Sequence, residues 1–389
     1  MSKINVRSFS NENDDGAPDI VGVTTFSATS YFVPTKGNTA QRPSDHVEVG
    51  SLRYNTDIKN LEYYRGDTLG WSQFELIDPE LGGGTGSNTG VGARGVMIGG
   101  HAHPSYYNTI DFVTISTLGD AQDFGDATIN VSQVQGCASR TRGFSAGSWQ
   151  GASGPVTDTI QFVTISSTGN GSDFGNLTES TRLNGALSNS TRAIRVAGAN
   201  TPTNTNTIDY WTMSQTGNAV DFGDITTANS HWCTCVSSST RGVWVSGLES
   251  NNIMEYITIA TTGNSADFGD STQNVGGQPH AGGNSTRGIF AGGATPSSPN
   301  VTNTIEFITI ATLGNGTDFG DTTITRRYNP SAPSDPVRML MTGGGSSDTS
   351  PVNTIEYIQI LTTGNGTDFG DLTSARTGVA GCSNGHGGL

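Results

Sequence analysis

Asp-Phe-Gly-Asp stands at residues 123–126 and returns five times, at 173–176 (with Asn176 in the last place), 221–224, 267–270, 318–321 and 368–371. Carboxylates beside a Gly-rich turn could hold a hard cation: in "GNGTDFGD" one turn offers an Asn and two Asp. The spacing is not that of an EF-hand loop, and no bidentate Glu completes it. A single box of this kind can ligate magnesium in phosphoryl transfer, but only with a phosphate loop, a strand lysine and a catalytic loop that this chain lacks. A catalytic centre breaks symmetry, whereas every strong Asp here is repeated. The boxes (Asp123, Phe124, Asp126; Asp173, Phe174; Asp221, Phe222, Asp224; Asp267, Phe268, Asp270; Asp318, Phe319, Asp321; Asp368, Phe369, Asp371) are therefore expected to be structural. Their Asp side chains would bond backbone amides at turns. They would also pair, as a belt of salt bridges, with the Arg that opens each repeat: Arg94, Arg142, Arg192, Arg241, Arg287 and Arg338. Calcium is the rival reading.

Other side chains could bind without turnover. "HAHPSYY" brings His101, His103, Tyr106 and Tyr107 into one variable loop, and Trp149 opens another. Aromatic loop tips suit stacking on sugars or packing on a protein. The His pair could ligate a metal, but such a pair is more often solvated. Cys233 and Cys235 form a CxC with no second pair to complete a metal site. Cys137 and Cys382 fall at matching places in the first and sixth repeats and are expected to lie far apart. All four read as small core residues in a chain without a disulfide framework.

The elements that must carry these residues follow from the period. The box phenylalanines are spaced by 50, 48, 46, 51 and 50 residues. Self-similarity at such a period marks a repeat architecture. Within the unit beginning at Arg287, "RGIFAGG" predicts a short strand, and "TIEFITIAT" predicts the strongest one. Its Ile305, Phe307 and Thr309 point one way, and Glu306, Ile308 and Ile310 the other, so both faces should be covered. "LGNG" supplies a tight turn, "TDFGDTT" a third strand, and a segment such as "VQGCASR" a fourth. The chain has 54 Gly and 14% charged residues, which suits short strands and turns.

The glycine pair after the first strand and four strands per unit resemble a kelch repeat, from about Gly92 onward. Kelch units carry a Tyr and a Trp at set offsets where this chain has the box. The resemblance implies an all-β, six-bladed kelch-like β-propeller at 91–389, with about 49 residues and four strands per blade. Six complete blades are expected to close without a strand borrowed across the seam, and the box phenylalanines to pack between blades at roughly 2 kcal/mol each.

Residues 1–84 lack the repeat. "GSLRYNTDIKNLEYYRG" predicts a β-hairpin, with Leu52 and Tyr54 alternating with Arg53, and Leu61 and Tyr63 with Glu62. A lone hairpin is marginal and needs a partner surface. With "TAQRP" before it and "GW" after it, the stretch Thr39–Trp71 resembles a module of tailed-phage structural proteins, cyanophages above all. The box repeats likewise look like those of phage virion proteins. The resemblance implies a virion component of a tail, fibre or neck, docked through residues 1–84, joined by a linker at 85–90 to a propeller that contacts a host-surface glycan or protein. Several copies per virion, assembled in the host cytoplasm, would bind by avidity. The alternatives are a carbohydrate-binding propeller or a cellular kelch-like interaction module. A net charge of −15 argues against nucleic acid. No apolar run approaches the length of a membrane span. No cofactor and no enzymatic activity are expected.

Overall fold

"TIEFIT" and its five counterparts form the second-outermost strand of six antiparallel sheets, because alternate apolar residues let them be covered on both faces. The computed structural model describes residues 34–43, 47–58, 60–73 and 92–389, the last less 152–153, 201–202, 228–230, 246, 248–251, 275, 277, 297–300, 329–330 and 348. Residues 1–33, 44–46, 59 and 74–84 of the expected docking region (1–84), and the linker (85–90), lie outside these residues. The described residues form strands and one 3-10 turn, Thr39–Gln41, with no α-helix. The chain divides into two compact units, 1–78 and 79–389.

In the first unit, Leu52–Asn55 and Asn60–Tyr64 form the hairpin, extended by Lys36–Gly37 on one side and Trp71–Gln73 on the other. The alternation separates the two faces, and the polar one is buried. Leu52 and Leu61 are 52% and 39% exposed, whereas Arg53, Asn55 and Glu62 are buried. The reason is a polar network. Glu62 takes Arg42 at 2.6 Å, Arg53 at 3.4 Å and the Asn55 amide at 3.1 Å. Asn55 accepts the Asp57 N–H, Asp57 accepts the Thr39 N–H, and the Trp71 indole donates to the Pro43 carbonyl. Beside Arg42 the Glu62 carboxyl is held below its usual range although burial opposes this. The residues that carry the phage-module resemblance are thus largely the members of one hydrogen-bonded cluster centred on the buried Arg53, Asn55 and Glu62.

In the second unit, five sheets have four strands. The second of the six, for example, runs Gly136–Ala138, Arg142–Trp149, Val156–Thr164, Ser172–Asn176. The sixth has three named strands, its inner edge reduced to a bridge between Ser334 and Met339. The short fourth segment belongs to the next sheet, not the preceding one: Gly136–Ala138 pairs with Arg142–Trp149. The first sheet is completed by Ala380–Ser383, which pairs with Arg94–Ile98 in the register Ala380↔Ile98 to Ser383↔Gly95. This corrects the expectation of closure without a strand across the seam. The alternative would leave the edge of Arg94–Ile98 unpaired among apolar neighbours, which buried backbone does not tolerate.

Neighbouring sheets make the same contacts six times. The box phenylalanines are 2–3% exposed. Each meets the aromatic residue of its own long strand edge-on, Phe112–Phe124 at 5.8 Å through Tyr357–Phe369 at 6.2 Å. Each also shares a cluster with the apolar residues of the next sheet, Phe319 with Ile358 and Ile360, Phe369 with Val113 and Ile115. The box carbonyls accept from the next sheet's turn: the Phe124, Phe174, Phe222, Phe268 and Phe319 carbonyls take the N–H of Gly169, Gly217, Gly263, Gly314 and Gly364, and Phe369 takes Gly119, all at 2.7–3.0 Å. The order of contacts thus returns from the sixth sheet to the first. The turn Asn side chains accept the N–H of the last box residue, as Asn170 does from Asp126 at 3.0 Å, with Asp120 serving Asp371.

This approach explains the box glycine. Gly320 has φ +150°, and a Cβ there would stand 2.5 Å from the Gly364 carbonyl oxygen. Gly217, on a turn, would meet nothing within 4 Å. Gly320→Ala should lower unfolding stability by at least about 2 kcal/mol and Gly217→Ala by about 1 kcal/mol or less in urea denaturation.

Candidate binding surface at the centre of the repeats

The six repeat-opening arginines do not form the expected salt-bridge belt. Among the described residues no ion pair includes a box Asp, and these Asp side chains are mostly exposed. Each Arg instead lies over the aromatic ring of its own long strand, from Arg287 on Phe307 at 4.2 Å to Arg94 on Phe112 and Arg338 on Tyr357 at 4.9 Å. Its Nη1 donates to a carbonyl of the next sheet: Arg94 to Ile165, Arg142 to Met213, Arg192 to Ile259, Arg241 to Ile310, Arg287 to Ile360, and Arg338 to Ile115. A guanidinium satisfies both demands because its face suits a π-system and its edge donates. The Asp carboxylates stay in water, where they keep their hydration. No three His, Cys, Asp or Glu side chains converge as a metal site among the described residues.

Five buried carboxylates and one amide stand elsewhere, at the position after the Ile (Met254 in the fourth repeat) of each long strand: Asp111, Gln161, Asp209, Glu255, Glu306 and Glu356. Each accepts from a Thr that follows the preceding box, as Gln161 does from Thr128, Asp209 from Thr178 and Asp111 from Thr373. Three also hold buried arginines: Arg376 on Asp111 at 2.5 Å, Arg195 on Asp209 at 2.5 Å, and Arg326 on Glu356. Sequence reasoning missed them because an acid inside an alternating strand reads as its wet face; the signal was recurrence at one position.

The inner strands converge on a cavity of about 50 Å³ lined from all six sheets, by Cys137, Ser188, Cys235, Gly283, Ser334 and Cys382 among others. The inner strands approach closely there: a Cβ on Gly136 would stand 2.7 Å from the Gly381 carbonyl oxygen. Cys137 and Cys382 both line it, on inner strands in contact with each other, and are neighbours rather than distant. Burial pushes both thiols up, Cys382 to about 12. At the end where the inner strands finish, the tail enters. His386 bonds the Ala138 carbonyl at 2.8 Å, and Gly387 N–H donates to the Gly283 carbonyl.

At the other end, a residue two or three ahead of each inner strand, and Tyr328 ahead of the reduced sixth edge, takes a left-handed backbone: Gln133, Leu183, Trp232, Gln278 and Tyr328 with φ 55–62°, and Gly378 with 69°. They are linked across repeats. Leu183 N–H donates to Gln133, Trp232 to Leu183, Gly378 to Tyr328 and Gln133 to Gly378, at 2.5–3.0 Å. The Gln278 side chain donates to the Gln133 carbonyl at 3.3 Å. Around this linkage the sequence-selected aromatics gather. The Trp149 ring meets Tyr106 edge-on at 5.3 Å, and Tyr106 stacks on His101 at 5.2 Å. His101 is buried and bonded to Ser132 at 2.6 Å, while His103 is exposed on the adjoining turn, so the two do not form a ligand pair. Tyr107 is half-buried, close enough to Arg376 to oppose the lowering that burial causes there. Arg182 lies over Trp149 at 4.5 Å, Arg327 over Tyr328 at 4.3 Å, and Trp232 meets Tyr328 at 5.9 Å. Trp232, Tyr328, Arg182 and Arg327 were not selected from the sequence; only alignment on the 133, 183, 232, 278, 328, 378 register would have found them.

Two tests follow from the buried groups. Glu356→Gln leaves Arg326 buried beside a neutral partner and should cost about 3–5 kcal/mol in urea unfolding. Burial, with the Arg326 charge, lowers His280 to about 3, and burial lowers His386 to about 4. The unfolded chain then binds protons that the folded one does not, so stability is full above pH 6.5 and falls as pH drops toward 4, by up to about 1.4 kcal/mol per pH unit and histidine. His280→Gln should flatten the dependence of urea midpoint on pH between 6.5 and 4. No protein-family model and no curated protein matches the chain.

Proposed function

We propose that the chain is a phage virion structural protein that binds rather than catalyses. Its second unit is read as a six-bladed, kelch-like propeller, and its first as a docking module for other virion proteins. The observation that carries the propeller reading is the return of contacts from the sixth sheet to the first, through Gly119 on Phe369, Arg338 on Ile115 and Ala380–Ser383 on Arg94–Ile98. Repeats that each bury both faces only against neighbours gain most when the series closes.

The docking reading rests on the phage-module residues and on the sheet face they leave outward. Leu52, Leu61 and the nearby Val49, Ile58 and Leu69 are exposed beside a buried polar network. Exposed apolar groups gathered on one small unit favour an interface. The centre of the repeats, with Tyr106, Trp149, Trp232 and Tyr328, is the surface for host contact, since aromatic anchors concentrate binding energy. A carbohydrate-binding role is the second reading and is favoured by the same four rings. A cellular kelch-like interaction module is the third.

Mass spectrometry of particles purified from the lysate in which the chain is made should recover it as a stoichiometric component. Recovery only in the soluble host fraction overturns the virion reading.

A further inference from the structure

We propose that a small cavity beside Glu306, in the fifth repeat, is a binding site for one monovalent metal cation, potassium by size, held by the Glu306 carboxylate and by backbone carbonyls. The cavity measures about 10 Å³ and is lined by Thr272, Gln273, Phe290, Gly292, Thr304 and Glu306 among others. No arginine, lysine or histidine lines it among the described residues.

Two other repeats show what this place holds. Arg326 bonds Glu356 through Nη2, and its Nη1 donates to the carbonyls of Met341, Gly343 and Thr354 at 3.2, 3.0 and 3.3 Å. Arg195 bonds Asp209 through Nη2 at 2.5 Å, and its Nη1 donates to the Ala197 and Thr207 carbonyls, each at 3.0 Å. The acceptors correspond. Gly343 and Ala197 each stand fifth after the Arg that opens the repeat, with φ 59° and 51°. Thr354 and Thr207 each stand two places before the acid. The arginines do not correspond: Arg195 lies on the strand Arg192–Asn200, and Arg326 follows the preceding box. Two unrelated positions thus deliver a positive charge to one set of oxygens. The charge is the requirement, not the residue that brings it.

The fifth repeat has the acceptors and neither arginine. Gly292 is fifth after Arg287, with φ 69°, and Thr304 stands two places before Glu306. Gly292 N–H donates to the Thr304 carbonyl at 3.0 Å, as Gly343 does to Thr354, so the two backbones run alike. In sequence Phe290 holds the place of Arg195, and Val275 that of Arg326. Glu306 is 5% exposed. Its Oε2 accepts the Thr272 N–H at 2.7 Å, and its Oε1 has no donor among the described residues. In Glu356 the oxygen that Thr323 does not take is the one that Arg326 bonds. A buried carboxylate without a counter-charge is costly. Carboxylate and carbonyl oxygens suit hard cations, and carbonyls can replace the water around potassium. A space about the size of one water admits one dehydrated ion. One carboxylate balances one charge, so a divalent ion would leave a buried charge uncompensated.

The test melts the full chain in potassium chloride and in tetramethylammonium chloride at equal ionic strength, so that screening of the net charge of −15 is common to both. Tetramethylammonium is too large for the cavity. An ion that binds only the folded chain raises the midpoint, and a rise of about 2 °C or more is expected in potassium. Glu306→Gln should lose most of that rise. The variant should fold, because Gln161 holds the same place in the second repeat and accepts from Thr128 there. Crystals soaked in rubidium, which replaces potassium, should show an anomalous peak beside Glu306 and none beside Glu356, where Arg326 fills the place. Equal midpoints in the two salts, as a trapped water or a protonated Glu306 would give, overturn the site. So does a rise that Glu306→Gln leaves intact, or a rubidium map without a peak beside Glu306. Each of these outcomes leaves the recovery of the chain in virions untouched.

Discussion

The approach of one backbone to another, made possible where the box glycine has no Cβ, is the constraint on which the second unit depends. At Gly125, Gly269, Gly320 and Gly370 the neighbouring sheet's turn passes within 2.5–2.6 Å of where a Cβ would be. Only that closeness lets the Phe carbonyl meet a turn N–H and lets the turn Asn reach the last box amide. The preceding Phe then fills the space beneath. Carbonyl, ring and glycine form one device, and the acids beside them stay outward to keep the strand ends wet. The box is a joint.

Around that joint the charges are divided by depth. Outer arginines sit half-exposed on rings and bind carbonyls, a use that needs no carboxylate. Inner arginines, Arg195, Arg326 and Arg376, are fully buried, and each has an acid of a long strand at bonding distance. Glu255 and Glu306 occupy the same place without an arginine and take Thr and Ser donors instead. The position is thus held for an acceptor, and the cation is added where the neighbouring segment can supply one. Buried pairs of this kind set geometry more than they add stability.

Much of this was legible from residue types. The period, the strands, the turn chemistry of Gly-Asn-Gly and the all-β class follow from local rules, since a two-residue alternation and a positive-φ turn are set by a few neighbours. What was not legible depends on partners far along the chain. The arginines could be seen but not what they would touch, because ring, carbonyl and carboxylate are all plausible acceptors. The hairpin was placed, but the face it buries was not, because Arg53 and Glu62 go inward only once Arg42 and Asn55 are there to satisfy them. Cys137 and Cys382 read as distant by number and are neighbours by topology. The central face gathers Trp232, Tyr328, Arg182 and Arg327 from three repeats, with nothing in their types to join them.

The pairing of Cys382 with Val96 joins segments nearly three hundred residues apart. Local sheets can form early, but this long-range contact must close a large loop, which makes it slow. Until it forms, Arg94–Ile98 presents an apolar strand with an open edge, a template for any chain that carries the same complement. Where many copies fold close together, the strand of one molecule then competes with its neighbour's for that edge. Such an exchange would yield intertwined dimers that keep the native strand pairing, the more readily the more copies fold together.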